Sequence, residues 1–306
     1  MHDEPDHAPP CAAPDPNPRL PRIPFPQGAC DCHAHIFGPA TQFPYARERI
    51  YTPPDCTWAH YRHLLDTLGL DRAVLVQPSA YGSDNAAMLA ALAAAGPGVR
   101  AVAVLDPQVA AGELEALQRA GVRGLRFNLV DRHDARNVIP VDALRSVAQR
   151  IAPLGWHLEF LVNLDEAGAF ASALDGLGVP VVLGHMGYPR GGARGWAAHA
   201  AFADLGHLLQ TGRCWVKLTG PYRISGGELP YDDVDEIALQ LIEAAPGRML
   251  WGTDWPHAIM KKNMPNDADL CDLLERWAPD ARVRARILVD NPAELYGFAL
   301  EEKISF

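Results

Sequence analysis

His33 and His35 stand two apart in Asp31-Cys32-His33-Ala34-His35, a spacing that puts both imidazoles on one side of an extended strand. Such a pair can bind a metal or polarise a carbonyl group. His185 follows the apolar run Val181-Val182-Leu183-Gly184, and Asp254 follows Leu250-Trp251-Gly252-Thr253. An ionisable residue just past an apolar strand is poorly placed for packing and well placed for chemistry. Asp254 is the candidate general base, since a carboxylate beside a water can take its proton. Its bland alternative is a cap of the segment containing Pro256, and His257 is a candidate for the rim of the same site.

A second group of residues is cationic. Arg126 lies inside Gly124-Leu125-Arg126-Phe127-Asn128-Leu129, where a guanidinium cannot be buried without a partner. Arg132 follows on the next loop, and Arg223 follows a later strand in Gly220-Pro221-Tyr222-Arg223. Each could serve an internal salt bridge. Together, at strand ends, they point to an anionic ligand held by bidentate contacts. Tyr51, Ser79 and Asn128 can add neutral hydrogen bonds to it.

These residues need a scaffold that gathers strand ends. The chain alternates short apolar, β-branched runs with amphipathic stretches. Strands are expected at Cys30–Phe37, Ala73–Gln77, Ala101–Leu105, Gly124–Leu129, His157–Val162, Val181–Gly184, Trp215–Thr219 and Met249–Thr253. Helices are expected at Trp58–Leu68, Ala86–Ala95, Gly112–Ala120, Val141–Leu154, Leu164–Leu177, Trp196–Thr211, Tyr231–Ala245 and Asp267–Trp277. A further helix over Ala281–Phe298 should be interrupted at Val289-Asp290-Asn291-Pro292. Eight β/α units close into an α/β barrel, whose active site lies at the C-terminal strand ends. No glycine-rich phosphate loop follows the first strand, which argues against a doubly wound sheet.

Composition narrows the function. The 306 residues suit one barrel, read as residues 29–306 behind a Pro-rich, flexible or surface-hugging arm over residues 1–28. The formal net charge of −10 disfavours nucleic acid as a partner. No run approaches the roughly 20 apolar residues of a membrane span, and the N-terminus carries no apolar signal core. The six cysteines form no CxxC pairs and read as reduced thiols of a cytoplasmic protein.

The His-x-His strand, Gly184-His185-Met186-Gly187 and Trp251-Gly252-Thr253-Asp254-Trp255-Pro256-His257 together resemble the amidohydrolase superfamily. With Tyr51-Thr52-Pro53, Gln77-Pro78-Ser79, Arg126-Phe127-Asn128, Gly220-Pro221-Tyr222-Arg223 and Met264-Pro265-Asn266-Asp267, they resemble more narrowly its 2-pyrone-4,6-dicarboxylate lactonases. The resemblance runs from about Gly28 to Tyr296. It implies a distorted (β/α)8 TIM barrel that opens a dicarboxylated lactone to 4-oxalomesaconate, reversibly, in bacterial catabolism of lignin-derived aromatics. It makes Asp254 the base and His33, His35 and His185 the groups that polarise the lactone carbonyl. Arg126, Arg132, Arg223, Tyr51 and Ser79 become the binders of the two carboxylates.

Many superfamily members carry a bridging Lys or Glu after strand four and a His after strand five. Strand four here has no Lys, and His157 opens strand five. The resemblance therefore implies no cofactor, with one zinc on His33, His35 and Asp254 as the alternative. The other readings are a lactonase for a sugar-acid lactone or substituted muconolactone, a zinc-dependent decarboxylase and, from another class, a non-catalytic acid-binding barrel.

Overall fold

The computed structural model describes residues 8–131, 137–168, 170–260 and 263–299. Eight strands form one parallel sheet in sequential order: β1 (Cys30–Ala34), β2 (Arg72–Val76), β3 (Val99–Ala103), β4 (Val122–Asn128), β5 (His157–Leu161), β6 (Val181–Leu183), β7 (Cys214–Leu218) and β8 (Met249–Trp251). The ends of β8 and β1 meet just beyond the ladder. Asp254 donates its backbone N–H to His33 O at 2.8 Å, and His35 donates to Trp255 O at 2.8 Å. The barrel expected from the strand–helix alternation is thus closed beside His33, His35 and Asp254.

The helices between the strands follow their apolar stripes. In α1 (Trp58–Leu68) the buried residues are Tyr61, Leu64, Leu65 and Leu68, the i, i+3, i+4, i+7 face of one helix. It ends where Gly69 takes a left-handed conformation at φ 75° and donates to Leu65 O. The bounds of α1, α2 (Ala86–Ala95) and the later helix Asp267–Trp277 match expectation residue for residue.

Three expectations fail, the smallest at Trp196–Thr211, where an extended His199 separates a 3₁₀ turn, Trp196–Ala198, from the helix Ala200–Gln210. The stretch expected as one helix over Leu164–Leu177 is a 3₁₀ turn, Leu164–Glu166, and a short helix, Phe170–Ala173. Its polar side chains serve the next loop instead. Asp165 accepts the Arg190 and Gly191 N–H groups, and Asn163 donates to Tyr188 O. At the C-terminal end, Pro292 does not interrupt the helix. A π-helical turn over Arg286–Asp290 precedes the segment Asn291–Tyr296 and moves the hydrogen-bond register by one residue ahead of the proline. That segment plugs the barrel's N-terminal mouth. Tyr296 and Phe298 pack with Cys30, Cys32, Val102, Val182, Trp215 and Leu250 inside the strands.

Residues 8–28 lie along the barrel wall. Cys11 donates to Thr52 O, Arg19 N–H to Asn266 Oδ1, and Phe25 packs on Trp251 at 5.3 Å between ring centroids. Among the described residues no helix is long and apolar enough to cross a membrane.

Candidate active site

Asp31 sets the position of His33 and Asp254. Its buried carboxylate accepts from the backbone N–H groups of His33 and Thr253, both at 3.0 Å. It also accepts from Thr253 Oγ1 at 2.6 Å and from Tyr61 OH of α1 at 2.9 Å. Burial pushes its pKa up to about 6 against these four donors. A register shift between Asp31 and Ala34 lets Asp31 face α1 while His33 faces the barrel axis. Gly252 is required opposite, because a Cβ there would sit 2.7 Å from His33 N. Asp254 turns inward at φ 64°.

The four candidate residues converge. Asp254 Oδ1 lies 3.6 Å from His33 Nε2 and 3.8 Å from His35 Nε2. The rings of His33 and His185 are 5.2 Å apart. His35 donates through Nδ1 to Val76 O at 2.7 Å, and His185 Nδ1 meets Thr219 Oγ1 at 2.9 Å. The other oxygen of Asp254, Oδ2, accepts from Tyr222 OH and from Arg223 Nε, both at 2.6 Å. Gly220, at φ 55°, brings the β7 loop this close. A Cβ there would come within 3.0 Å of Asp254 Oδ2 and 2.9 Å of His185 Nδ1. Asp254 Oδ1 and His33 Nε2 are both buried with no hydrogen-bond partner among the described residues, so the site is built for something that enters between them.

Charge runs on down the axis. Lys217 of β7, fully buried, donates to Glu159 Oε2 at 2.6 Å and to His33 Nδ1 at 3.1 Å. Glu159 lies beside His157, whose ring stands where a Cβ on Gly124 would overlap it. Burial opposes ionisation of Glu159 and of Asp254. Lys217 together with the neighbouring His157 and His33 outweighs it at Glu159, and Arg223 with the three imidazoles outweighs it at Asp254, so both carboxyls stand well below their usual range. Burial, with Lys217 beside it, holds the His33 imidazole well below its usual pKa. Burial, aided by Arg126, lowers His35 to about 3, and burial also lowers His185 to about 4.

These shifts predict how stability depends on acid. The folded-state pKa values of His35 and His185 lie below the unfolded value near 6.5, so the unfolded chain takes up protons first as pH falls. Their contribution is complete above about pH 6.5 and is lost as pH falls through their folded values. Asp31, shifted the other way, offsets one group of the set. The melting temperature should therefore drop between pH 7.5 and pH 5 in differential scanning calorimetry. A flat or rising trend would show that the histidines are not buried in the neutral form.

Above this floor opens a cavity of about 400 Å³ lined by Tyr51, Ser79, Arg126, His185, Tyr188 and Arg223, with His35 at its base. Arg126, 7% exposed, donates to Gln77 O at 2.9 Å and has no carboxylate partner among the described residues. Ser79 lies 3.3 Å from Tyr51 OH and donates to Asp131 Oδ2 at 3.0 Å. Asn128 also engages Asp131 rather than the cavity. His257 does not reach the rim. It is fully buried between Tyr222 OH at 3.1 Å and Asp267 Oδ1 at 3.1 Å. Arg132 lies outside the described residues.

Sequence reasoning missed Lys217 and Tyr222. Lys217 stands between Val216 and Leu218 in an apolar strand, the same signal that singled out Arg126. The atoms of His33, His35 and Asp254 lie within 4.8 Å of one another, a span that one divalent ion could bridge.

A parallel barrel with two histidines ending β1, a histidine after β6 and an aspartate after β8 defines a hydrolase of the amidohydrolase type. The family model described as Amidohydrolase matches residues 30–298, and the chain belongs to that family. It is 40% identical to a 2-pyrone-4,6-dicarboxylate hydrolase of Comamonas testosteroni, with 92% of this chain and 93% of that protein covered. It is 36% identical to a 4-sulfomuconolactone hydrolase of Rhizobium radiobacter, over 94% of this chain and 96% of that protein. A crystal structure of an Acinetobacter baumannii protein with citric acid bound superposes with a TM-score of 0.76 at 26% identity, covering 89% of this chain and 100% of that one. The resemblance carried by the motifs is borne out, and the chain is a lactone-acting enzyme, a lactonase of this family.

Proposed function

We propose that this lactonase opens 2-pyrone-4,6-dicarboxylate to 4-oxalomesaconate and catalyses the reverse closure. The observation that carries the reading is Arg126, a buried guanidinium facing the cavity with no carboxylate of its own among the described residues. A buried cation of this kind favours an anionic ligand. The citrate bound by the Acinetobacter baumannii structure supports a polycarboxylate in this fold. Arg223, Tyr51 and Ser79 would complete the cradle, and Arg132 is assigned to it from the sequence.

In this reading the attacking water donates to Asp254 Oδ1 and adds to the lactone carbonyl carbon. Asp254 takes its proton. His33, and His185 from the other side, hydrogen-bond the carbonyl oxygen as negative charge grows on it. The acyl carbon–ring oxygen bond then breaks, and the ring oxygen leaves as an enolate that is protonated to the keto acid. Asp254, paired with Arg223, is a weak base in the free enzyme. A substrate carboxylate that draws the guanidinium's charge would make it a stronger one.

The reaction is proposed to need no metal, because β4 offers no bridging Lys or Glu and the β5 carboxylate, Glu159, is engaged by Lys217. The test is ring opening, followed by absorbance, on a panel of 2-pyrone-4,6-dicarboxylate, its monocarboxylated analogue, a sulfomuconolactone and a neutral sugar lactone. The dicarboxylate should turn over best, and dialysis against chelator should leave that rate unchanged. Preference for the sugar lactone would sink the assignment. Preference for the sulfomuconolactone would move it to the substrate of the Rhizobium radiobacter relative.

A further inference from the structure

We infer that Lys217 is a positioning residue that fixes the His33 proton on Nε2. We infer also that this hydrogen bond bars a divalent cation from the His33–His35–Asp254 triangle. The second point deepens the metal-free reading above and rests on it.

The argument is one of donors and acceptors. An ammonium has three N–H donors and no acceptor. Lys217 directs one at Glu159 Oε2, 2.6 Å away, and another at His33 Nδ1, 3.1 Å away. That nitrogen must therefore offer its lone pair, so the proton of a neutral His33 sits on Nε2. Glu159 Oε1, at 3.4 Å from the same Nδ1, is the rival acceptor for a proton there, but an Nδ1–H would point a hydrogen at the ammonium. The facing histidine has the opposite form. His35 donates through Nδ1 to Val76 O, which leaves the Nε2 lone pair towards Asp254.

The floor thus presents two acceptors, Asp254 Oδ1 and His35 Nε2, and one donor, His33 Nε2–H. A water can satisfy both acceptors with its two hydrogens, and a carbonyl oxygen can accept from the donor. A metal needs a lone pair from all three, and His33 has none to give. Metal-ligating histidines ordinarily donate their far N–H to a carboxylate or carbonyl. Here an ammonium stands at that position, and the carboxylate that could have served, Glu159, is engaged by the same ammonium.

The experiment compares wild type with Lys217→Met and with Lys217→Met/Glu159→Gln, the second of which leaves no unpaired buried charge. Zinc binding is read by calorimetry on chelator-stripped protein. Partners behind a ligand shift metal affinity by about 10–100-fold. The double variant should bind one zinc at least about tenfold more tightly than wild type, and binding should vanish on adding His35→Ala. With zinc absent, the double variant's kcat should fall about 10–100-fold while KM changes little, because the cavity arginines are untouched. Should neither variant fold, ¹⁵N spectra of wild type decide alone: His33 must show an unprotonated Nδ1 and a protonated Nε2. A protonated Nδ1, or wild type binding zinc as tightly as the double variant, overturns the inference. None of these binding or spectral readouts uses the lactone, so a wrong substrate would leave them standing.

Discussion

Asp254→Asn is expected to lower kcat by about 10²–10⁴-fold, the range typical of losing one general base, while the dicarboxylate still binds. The substitution is nearly isosteric. Its carboxamide oxygen can replace Oδ2 and keep accepting from Tyr222 OH and Arg223 Nε, both at 2.6 Å in the wild type. That orientation puts the NH₂ group where Oδ1 now faces His33 and His35, so a donor stands where the water's proton has to go. Single-turnover ring opening separates this loss from product release, and calorimetry with the dicarboxylate checks binding. A variant within a few-fold of wild-type kcat would mean that another group takes the proton. The pH profile gives an independent check. Arg223 and the histidines hold Asp254 ionised well into acid, and His35 and His185 become cationic only near their values of about 3 and about 4. In brief assays by pH jump, kcat/KM, which reports the free enzyme, should stay level from pH 8 down to about pH 5 and fall below it, lower than an ordinary imidazole would place the limb. An inflection between pH 6 and 7 would assign the proton to a different base.

The barrel and its four convergent residues were legible because strand-end position is a property of the chain. A polar residue after an apolar run is at the mouth of a parallel barrel whatever the packing; His185 and Asp254 obey this, and the two-residue spacing of His33 and His35 at the end of β1 adds the other two. What each one touches is a property of the closed barrel. Arg223 reads as a ligand-binding arginine, and it does line the cavity, yet its Nε is engaged by Asp254 across two strand ends. His257 and Asp254 are three residues apart on one loop, but the backbone turns at φ 64° and 61° send one to the site and the other behind it. Glu159 is unconvincing as a metal ligand when β5 is read alone. Its partner Lys217 is 58 residues away, and no local pattern links them. The short helix after β5 and the π turn before Pro292 were missed for a related reason. Both replace a regular hydrogen-bond pattern with one set by distant groups or by a single ring.

Arg126 and Arg223 should fail in different ways, and that difference tests the substrate. Arg126 has a backbone carbonyl as its partner and no ion pair among the described residues, so Arg126→Met should leave the melting temperature nearly unchanged. A charge-assisted hydrogen bond is worth about 1.5–3 kcal/mol, which translates into a loss of roughly 10–100-fold in kcat/KM on the dicarboxylated pyrone. The loss should fall mainly on KM, because Arg126 holds a carboxylate and not the reacting atoms. Arg223→Met removes the cation that keeps Asp254 ionised, so it should cost kcat as well and move the acid limb upward. Arg126→Lys should restore only part of the loss, since an ammonium lacks the planar fork that meets both carboxylate oxygens. The decisive comparison pairs each enzyme with two substrates, the dicarboxylate and the analogue lacking one carboxyl group. If Arg126 meets that carboxylate, deleting the arginine and deleting the carboxyl group will cost much less together than the sum of their separate effects. Arg132, on the loop after β4, can be put through the same cycle. Should the two deletions add independently at both arginines, neither binds the carboxylate, and the substrate is an uncharged or singly charged lactone.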